Sequence, residues 1–306
     1  MPETFHTMLT FLYIERKYSP QDELLSRERG EGMENKTIDK HHLQRLLTAA
    51  VGLPILAMII VIGPGWLLLA LVLLVTGGGL LELSRLLLAG TKAWLRILTW
   101  SMGLLLPLAT YWKGLFGLTV ATVAVVFVAL AVHLFVYAKQ GQVLPSLGAM
   151  VFSQLYIPFL ISHVLLLFRV PSGRHWILLL FFVVFLCDTG AYYVGHRWGR
   201  HKLWPAVSPG KTIEGAIGGL LSSMATSVLV GTLLPLDVAT VGFLLVLGFV
   251  LALVGQVGDL MESMLKRVSQ VKDAGGILPG HGGLLDRLDS LIFAFPVMYY
   301  AVVFFT

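Results

Sequence analysis

Cysteine is almost absent: Cys187 is the only one in 306 residues, so no intrachain disulfide can form, and a reducing compartment suits the chain. It sits within an apolar run, where a lone thiol serves as a small apolar filler. Charge is also scarce, with Asp, Glu, Lys and Arg at 13%, about half of the ~25% usual in soluble domains. No small-residue cleavage site follows a proper apolar core near the N-terminus, which argues against a secretory signal peptide. No segment recurs at a fixed period, which argues against a repeat architecture.

What the chain has instead is apolar length. Hydrophobic residues make up 57% of it, and the mean hydropathy is +0.83. Runs able to span a bilayer, roughly 20 residues each, recur from residue 46 to the end. The expected fold is therefore an all-α polytopic membrane protein. Nine spans are predicted, over about 46–62, 66–81, 94–112, 115–137, 147–168, 175–195, 213–234, 239–258 and 285–305. Gly63-Pro64-Gly65 reads as a tight turn, and only Lys113-Gly114 separates the third span from the fourth.

The basic residues orient these spans. With the N-terminus in the cytosol and the C-terminus outside, 19 of the 22 Lys and Arg fall on the cytosolic side, and only Lys113, Arg169 and Arg174 fall outside. The net charge of +5 thus reflects topology and phosphate chemistry, and nucleic-acid binding is not invoked.

Residues 1–42 differ from the rest, carrying eight of the 17 acidic residues. They read as a polar cytosolic tail, partly disordered, with room for a short surface helix over 7–18. Residues 43–306 form the transmembrane domain, and Met33 stands as an alternative start.

The stretch from Gly255 to Ser290 packs Asp259, Glu262, Asp273, Asp286 and Asp289 together with Lys266, Arg267, Lys272 and Arg287, between two membrane-grade segments. Charges cost several kcal/mol each in lipid, so this is either a wet loop making ordinary surface pairs or a site. Asp259, Glu262, Ser263, Lys266 and Arg267 follow i, i+3, i+4, i+7, i+8 spacing and share one helix face. The turn LPGHGG then returns the chain to Asp286 and Asp289, at i and i+3 of the next apolar helix. Two carboxylate-bearing helix ends joined by a glycine turn can hold a hard divalent cation, and Mg²⁺ prefers one or two carboxylates plus phosphate oxygens. Neighbouring Lys and Arg would complement those phosphates.

Two further clusters stand out. Asp188, in LCDTGAYYVG, is a carboxylate near the cytosolic end of the sixth span, and such a residue is a functional candidate by default, a solvated helix end being the bland alternative. In SPGKTIEGAIGG, Gly210-Lys211-Thr212 suggests a Walker A loop, but the first glycine of that pattern falls on Pro205 and no strand precedes it. The remaining reading is a helix opening at Ser208-Pro209, with Lys211, Thr212 and Glu214 in its first turns seating a phosphate, or simply capping. Gly215 and Gly219 allow close helix approach, read as intramolecular packing in preference to a dimer seam. His133, His163 and His175 read as structural. All three polar clusters fall on one side of the predicted membrane.

From Ser263 to Asp289 the pattern Ser263-x-Leu265-Lys266-Arg267, Lys272-Asp273, Leu278-Pro279-Gly280-His281-Gly282-Gly283, Asp286-Arg287-x-Asp289 resembles the signature of phosphatidate cytidylyltransferases (CDP-diacylglycerol synthases), with fifteen positions matching over 27 residues. The strings around Asp188 and from Ser208 to Gly215 resemble two other motifs of that family.

The resemblance implies a transferase of phospholipid biosynthesis that joins CTP and phosphatidate into CDP-diacylglycerol and pyrophosphate. It also implies a homodimer in a bacterial inner membrane, with the site facing the cytoplasm and Mg²⁺ as cofactor, with room for a second cation. On that reading Asp259 and Asp286 are the first metal ligands, and Asp188 and Asp289 are near or second-cation ligands. Lys211, Lys266 and Arg267 hold phosphates and Ser263 orients one. Ser208, Thr212, Glu214, Lys272, Asp273, His281 and Arg287 contact substrate. A paralogue acting on another lipid phosphate, or a transporter, remains as an alternative. A transporter, however, places its charges near mid-membrane in paired repeats.

Overall fold

The computed structural model describes residues 52, 54–137, 143–236, 240–271, 275 and 283–305. The predicted tail, residues 46–51 and 53 of the first predicted span, and Lys272, Asp273 and His281 lie outside these residues. The chain divides into two units, Met1–Leu53 and Pro54–Thr306, and the second holds the helical body.

That body is built of helices, because long Leu-, Val- and Phe-rich runs can satisfy their backbone groups in lipid only within the segment. After a helical stretch at 54–61 and a turn, α1 spans Gly65–Leu87 and α2 spans Ala93–Val136. α3 covers Val143–Gln154, passes through a π-helical turn at Leu155–Phe159 that contains Pro158, and continues as α4, Leu160–Leu167. α5 is Gly173–Trp198. A two-stranded hairpin follows, β1 (Lys202–Trp204) paired antiparallel with β2 (Ser208–Thr212). α6 (Ile213–Leu233), α7 (Val241–Val268) and α8 (Asp289–Phe305) complete it.

Among the described residues, six helical stretches are long and apolar enough to cross a membrane, and α8, at 17 residues, is a shorter apolar helix. At 44 residues α2 would measure about 66 Å, twice the ~30 Å of a bilayer core. Its continuity is broken at Gly114, whose φ of 62° and ψ of −143° are open to glycine and strained for other residues. The break falls at the predicted boundary between the third and fourth spans.

α5, α6, α7 and α8 pack in sequence order, and α8 also packs on α4. The core between them includes Trp176, Leu180, Val183, Leu244, Leu251, Ile292 and Met298. Lipid tails are as apolar as leucine, so helix association here rests on close packing and interhelical hydrogen bonds. Ser222 Oγ donates to the Leu186 carbonyl at 2.7 Å, Ser223 Oγ to Gly248 at 2.8 Å, and Gln256 Nε2 to Ala216 at 3.0 Å. Each such bond contributes about 0.6 kcal/mol in a bilayer. The Gly215/Gly219 seam is intramolecular, as expected: a Cβ at Gly215 would stand 2.8 Å from the Ala191 carbonyl, and one at Gly219 3.0 Å from the Cys187 carbonyl. Cys187 is buried and unpaired. His133 is buried and bridges the Ala129 carbonyl at 2.8 Å and Ser146 Oγ at 3.0 Å, a structural placement.

Two helices run past their predicted ends. The apolar runs predict stops at 81 and 258, where charged or polar residues begin; α1 continues to Leu87 and α7 to Val268. In both, a carboxylate beyond the apolar run, Glu82 in α1 and Glu262 in α7, is buried in the protein, while Arg85 and Arg267 stay exposed.

Candidate active site

The last three turns of α7 carry Asp259, Glu262, Ser263, Lys266 and Arg267, as their spacing required. Glu262 points inward and is only 2% exposed. α8 meets α7 at this level. A side chain at Gly258 would run into the backbone carbonyl of Asp289, so the two helices touch main chain to main chain where Asp259 and Asp289 leave them. Asp289 opens α8, and its Oδ1 accepts the Ser290 N–H at 2.7 Å.

The result is a convergence of three carboxylates. Oxygens of Asp259, Glu262 and Asp289 lie within 4.8 Å of one another. Two lysines face this group: Lys211 Nζ is 2.6 Å from Asp259 Oδ2, and Lys266 Nζ is 2.7 Å from Glu262 Oε2. Lys266 also reaches Asp286 Oδ1 at 2.6 Å, while Asp286 Oδ2 accepts the Gly283 N–H at 2.9 Å. Asp286 lies in the 3₁₀ turn Leu285–Arg287 ahead of α8. Burial pushes its carboxyl up, but hydrogen bonds with Glu262 and Lys266, the Gly283 N–H and the lysine charge outweigh burial and hold it below the usual carboxylate range.

The hairpin brings in the third cluster, and here one expectation is corrected. Ser208-Pro209 does not open a helix: Ser208–Thr212 is a strand, and α6 begins at Ile213. Thr212 is the N-cap, its Oγ1 accepting the Gly215 N–H at 3.1 Å, the kind of bond a threonine offers before a helix. Pro209 lacks an N–H and fits a short strand better than a central one. Lys211 therefore projects from an extended segment. Glu214 accepts the Arg200 N–H at 3.0 Å and the His201 N–H at 3.2 Å, and it meets His201 Nδ1 at 2.6 Å, so it fixes the turn that enters the hairpin.

A cavity of about 600 Å³ opens between α5, the hairpin, α6 and α7, within the ~300–1,000 Å³ range of small-molecule sites. Asp188, Lys211, Gln256 and Asp259 line it, with Tyr192 and His196 one and two turns further along α5 and Thr212 beside Gly195 and Gly199. The Tyr192 and His196 rings are parallel within 9°, with centroids 6.0 Å apart. Ser208 and Glu214 are not among the lining residues.

The remaining predicted residues are placed as follows. Arg267 Nε donates to the Val207 carbonyl at 3.2 Å, tying α7 to the hairpin, Ser263 is half-buried on the same helix, and Arg287 is exposed. Sequence reasoning placed Glu262 on the correct face without seeing that it joins Asp259 and Asp289, although its i+3 spacing from Asp259 carried that signal. It gave no role to Glu82, Gln256 or His196.

The chemistry of the donor set suits a hard cation: three carboxylates from two helices offer oxygens only, and Glu262 Oε1 is buried with no hydrogen-bond partner among the described residues. The flanking lysines suit phosphate groups.

Comparison with known proteins shows the family. Residues 43–305 match the model of the "Cytidylyltransferase family". The phosphatidate cytidylyltransferase of Staphylococcus saprophyticus is 48% identical over 127 residues, and those of Staphylococcus haemolyticus and Staphylococcus aureus are 49% and 50% identical over the same length. These matches cover 42% of the chain and 48% of each relative, so the chain spans about half the length of the curated relatives it matches.

Proposed function

The chain belongs to the cytidylyltransferase family, and on that footing we propose that it transfers the cytidylyl group of CTP to phosphatidate, giving CDP-diacylglycerol and pyrophosphate. The observation that carries the reading is the Asp259, Glu262 and Asp289 group flanked by Lys211 and Lys266 beside an open cavity. The lipid phosphate is its own nucleophile: one of its oxygens bonds to the α-phosphorus of CTP, and the bond to the β-phosphate oxygen breaks. No Ser or Cys nucleophile is required. What the protein must supply is positioning and charge neutralisation for two polyanions.

Lys211, on the hairpin, holds the triphosphate near the α-phosphorus, and Lys266 faces the same centre from α7. Asp259, Glu262 and Asp289 would hold Mg²⁺, with Asp188 beside them on the cavity wall and Asp286 acting through Lys266. Bound there, the ion would neutralise phosphate charge as a Lewis acid. The cytosine rests against the parallel Tyr192 and His196 rings. His196 lies eight residues from Asp188, about 12 Å along the helix, a span that suits the distance from base to phosphates.

The same reading places nine crossings in the membrane. These are the segment over 46–62, α1, the two arms of α2 on either side of Gly114, α3 with α4, and α5 to α8. The cytosolic N-terminus and external C-terminus are supported by the Lys and Arg asymmetry, which also supports a site at the cytoplasmic surface; an inner membrane is supported by the family resemblance alone. CTP then enters from water, and phosphatidate slides in from the leaflet. A homodimer is supported by the family resemblance alone.

The test is incorporation of radiolabelled CTP into lipid by purified protein in phosphatidate micelles, with Mg²⁺ titrated and then removed by chelator. Label should enter the lipid, in equimolar amount with pyrophosphate, only when Mg²⁺ is present. Label appearing in another acceptor while phosphatidate stays unlabelled would replace this substrate with that one.

A further inference from the structure

Glu82 sits in α1 within the run Leu80-Leu81-Glu82-Leu83 and is fully buried. A carboxylate enclosed in an apolar helix is costly unless something uses it. Its Oε2 accepts the Leu285 N–H at 2.9 Å, across 203 positions of sequence, while Oε1 has no hydrogen-bond partner among the described residues. The backbone of the return into α8 is moulded to this group. A side chain at Gly275 would run into Glu82 Oε1, and a Cβ at Gly283 would stand 3.0 Å from Glu82 Oε2 and 2.8 Å from Asp286 Oδ2. At Gly275 a side chain would meet Glu82 alone; at Gly283 it would meet both carboxylates and the Gly275 backbone nitrogen, at 2.9 Å, so something must shift to admit it.

From Glu82 a continuous chain of bonds leads to the site. Glu82 holds the Leu285 N–H; the same turn presents the Gly283 N–H to Asp286; Asp286 holds Lys266 at 2.6 Å; and Lys266 holds Glu262, one of the three grouped carboxylates, at 2.7 Å. We infer that Glu82 is a positioning residue: it fixes the backbone of 283–285 and thereby aims Asp286 and Lys266 at the carboxylate group, without touching substrate. The inference rests on the proposed reaction for its kinetic consequence and on the geometry alone for its effect on cation binding.

The test uses the full chain carrying Glu82→Ala, Glu82→Gln or Gly283→Ala. Each variant is checked for monodisperse elution, then measured for kcat, KM for CTP, the Mg²⁺ concentration at half-maximal rate, and the Mg²⁺-dependent rise in Tm. Groups that orient metal ligands are worth about 10–100-fold in affinity or activity. Glu82→Ala is expected to lower kcat and raise the Mg²⁺ requirement by that order, leave the KM for CTP within about twofold, and lose the Mg²⁺-dependent Tm rise. Glu82→Gln keeps a carbonyl oxygen for the Leu285 N–H and should restore most of both readouts. Gly283→Ala, which wedges the two carboxylates from the other side, should shift them in the same direction as Glu82→Ala. It answers the question even where Glu82→Ala fails to fold. A folded Glu82→Ala or Gly283→Ala with wild-type Mg²⁺ midpoint and Tm response overturns the inference, and so does a wild-type protein whose Tm ignores Mg²⁺. If the wild type responds to Mg²⁺ but labels no lipid, the proposed reaction falls, and the Tm arm still decides the role of Glu82.

Discussion

Lys266 Nζ lies 2.6 Å from Asp286 Oδ1, closing the return into α8 back onto α7, from which it departs. With Glu262 on its other side at 2.7 Å, this lysine is the hinge between two acidic elements that the sequence separates by the glycine turn. Asp286 and Asp259 therefore have different positions relative to the chemistry. Asp259 faces the cavity and Lys211, whereas Asp286 is engaged by Lys266 and the Gly283 N–H.

That difference predicts unequal effects of the same substitution. Asp259→Asn keeps the shape but removes a charge from the three-carboxylate group, and turnover should fall by at least about a hundredfold, close to 3 kcal/mol at ~1.4 kcal/mol per tenfold. Asp286→Asn still accepts the Gly283 N–H, and Lys266 retains Glu262, so its loss should be smaller and partly recovered by raised Mg²⁺. Steady-state kcat on variants with unchanged circular dichroism decides the order. Normal activity in Asp259→Asn would move the chemistry elsewhere, towards Asp188.

Tyr192 offers a separate test of the cavity. Stacking of a base on an aromatic ring is worth roughly 1–3 kcal/mol, so Tyr192→Ala should raise the KM for CTP by about tenfold while leaving the KM for phosphatidate unchanged. Tyr192→Phe keeps the ring and should behave as wild type. An unaltered KM for CTP in the alanine variant would place the cytosine on another wall.

Topology is read with reporter fusions. A reporter in the 235–237 connection between α6 and α7 should lie outside the cell membrane, and one in the 199–207 region should lie inside. Both reporting from the same side would remove a crossing and separate the hairpin from the face assumed for the site.

Much of the site was legible because its chemistry is written in local spacing. The i, i+3, i+7 placement of Asp259, Glu262 and Lys266 commits them to one face wherever that helix forms, and Gly114 marks the break in α2 because few other residues accept its φ. The opening of α6 was less legible. Pro209 is compatible with either a first helical turn or a strand, and pairing with Lys202–Trp204 decided for the strand.

Glu82 shows where local reading ends. A charge at the edge of an apolar run looks like the start of a loop, because exposure to lipid would be costly and exposure to water is not. Whether it is instead enclosed depends on what packs over it, and here that is a backbone N–H from a residue 203 positions away. Sequence alone determined an apolar, helical, membrane-grade chain with its acidic and basic groups gathered into three clusters, since composition and helical period set those properties residue by residue. Only the tertiary structure decided which carboxylates converge, which of them meet Lys211 and Lys266, and what a side chain at Gly283 would strike. Those outcomes depend on distances between helix ends, which no stretch of sequence contains.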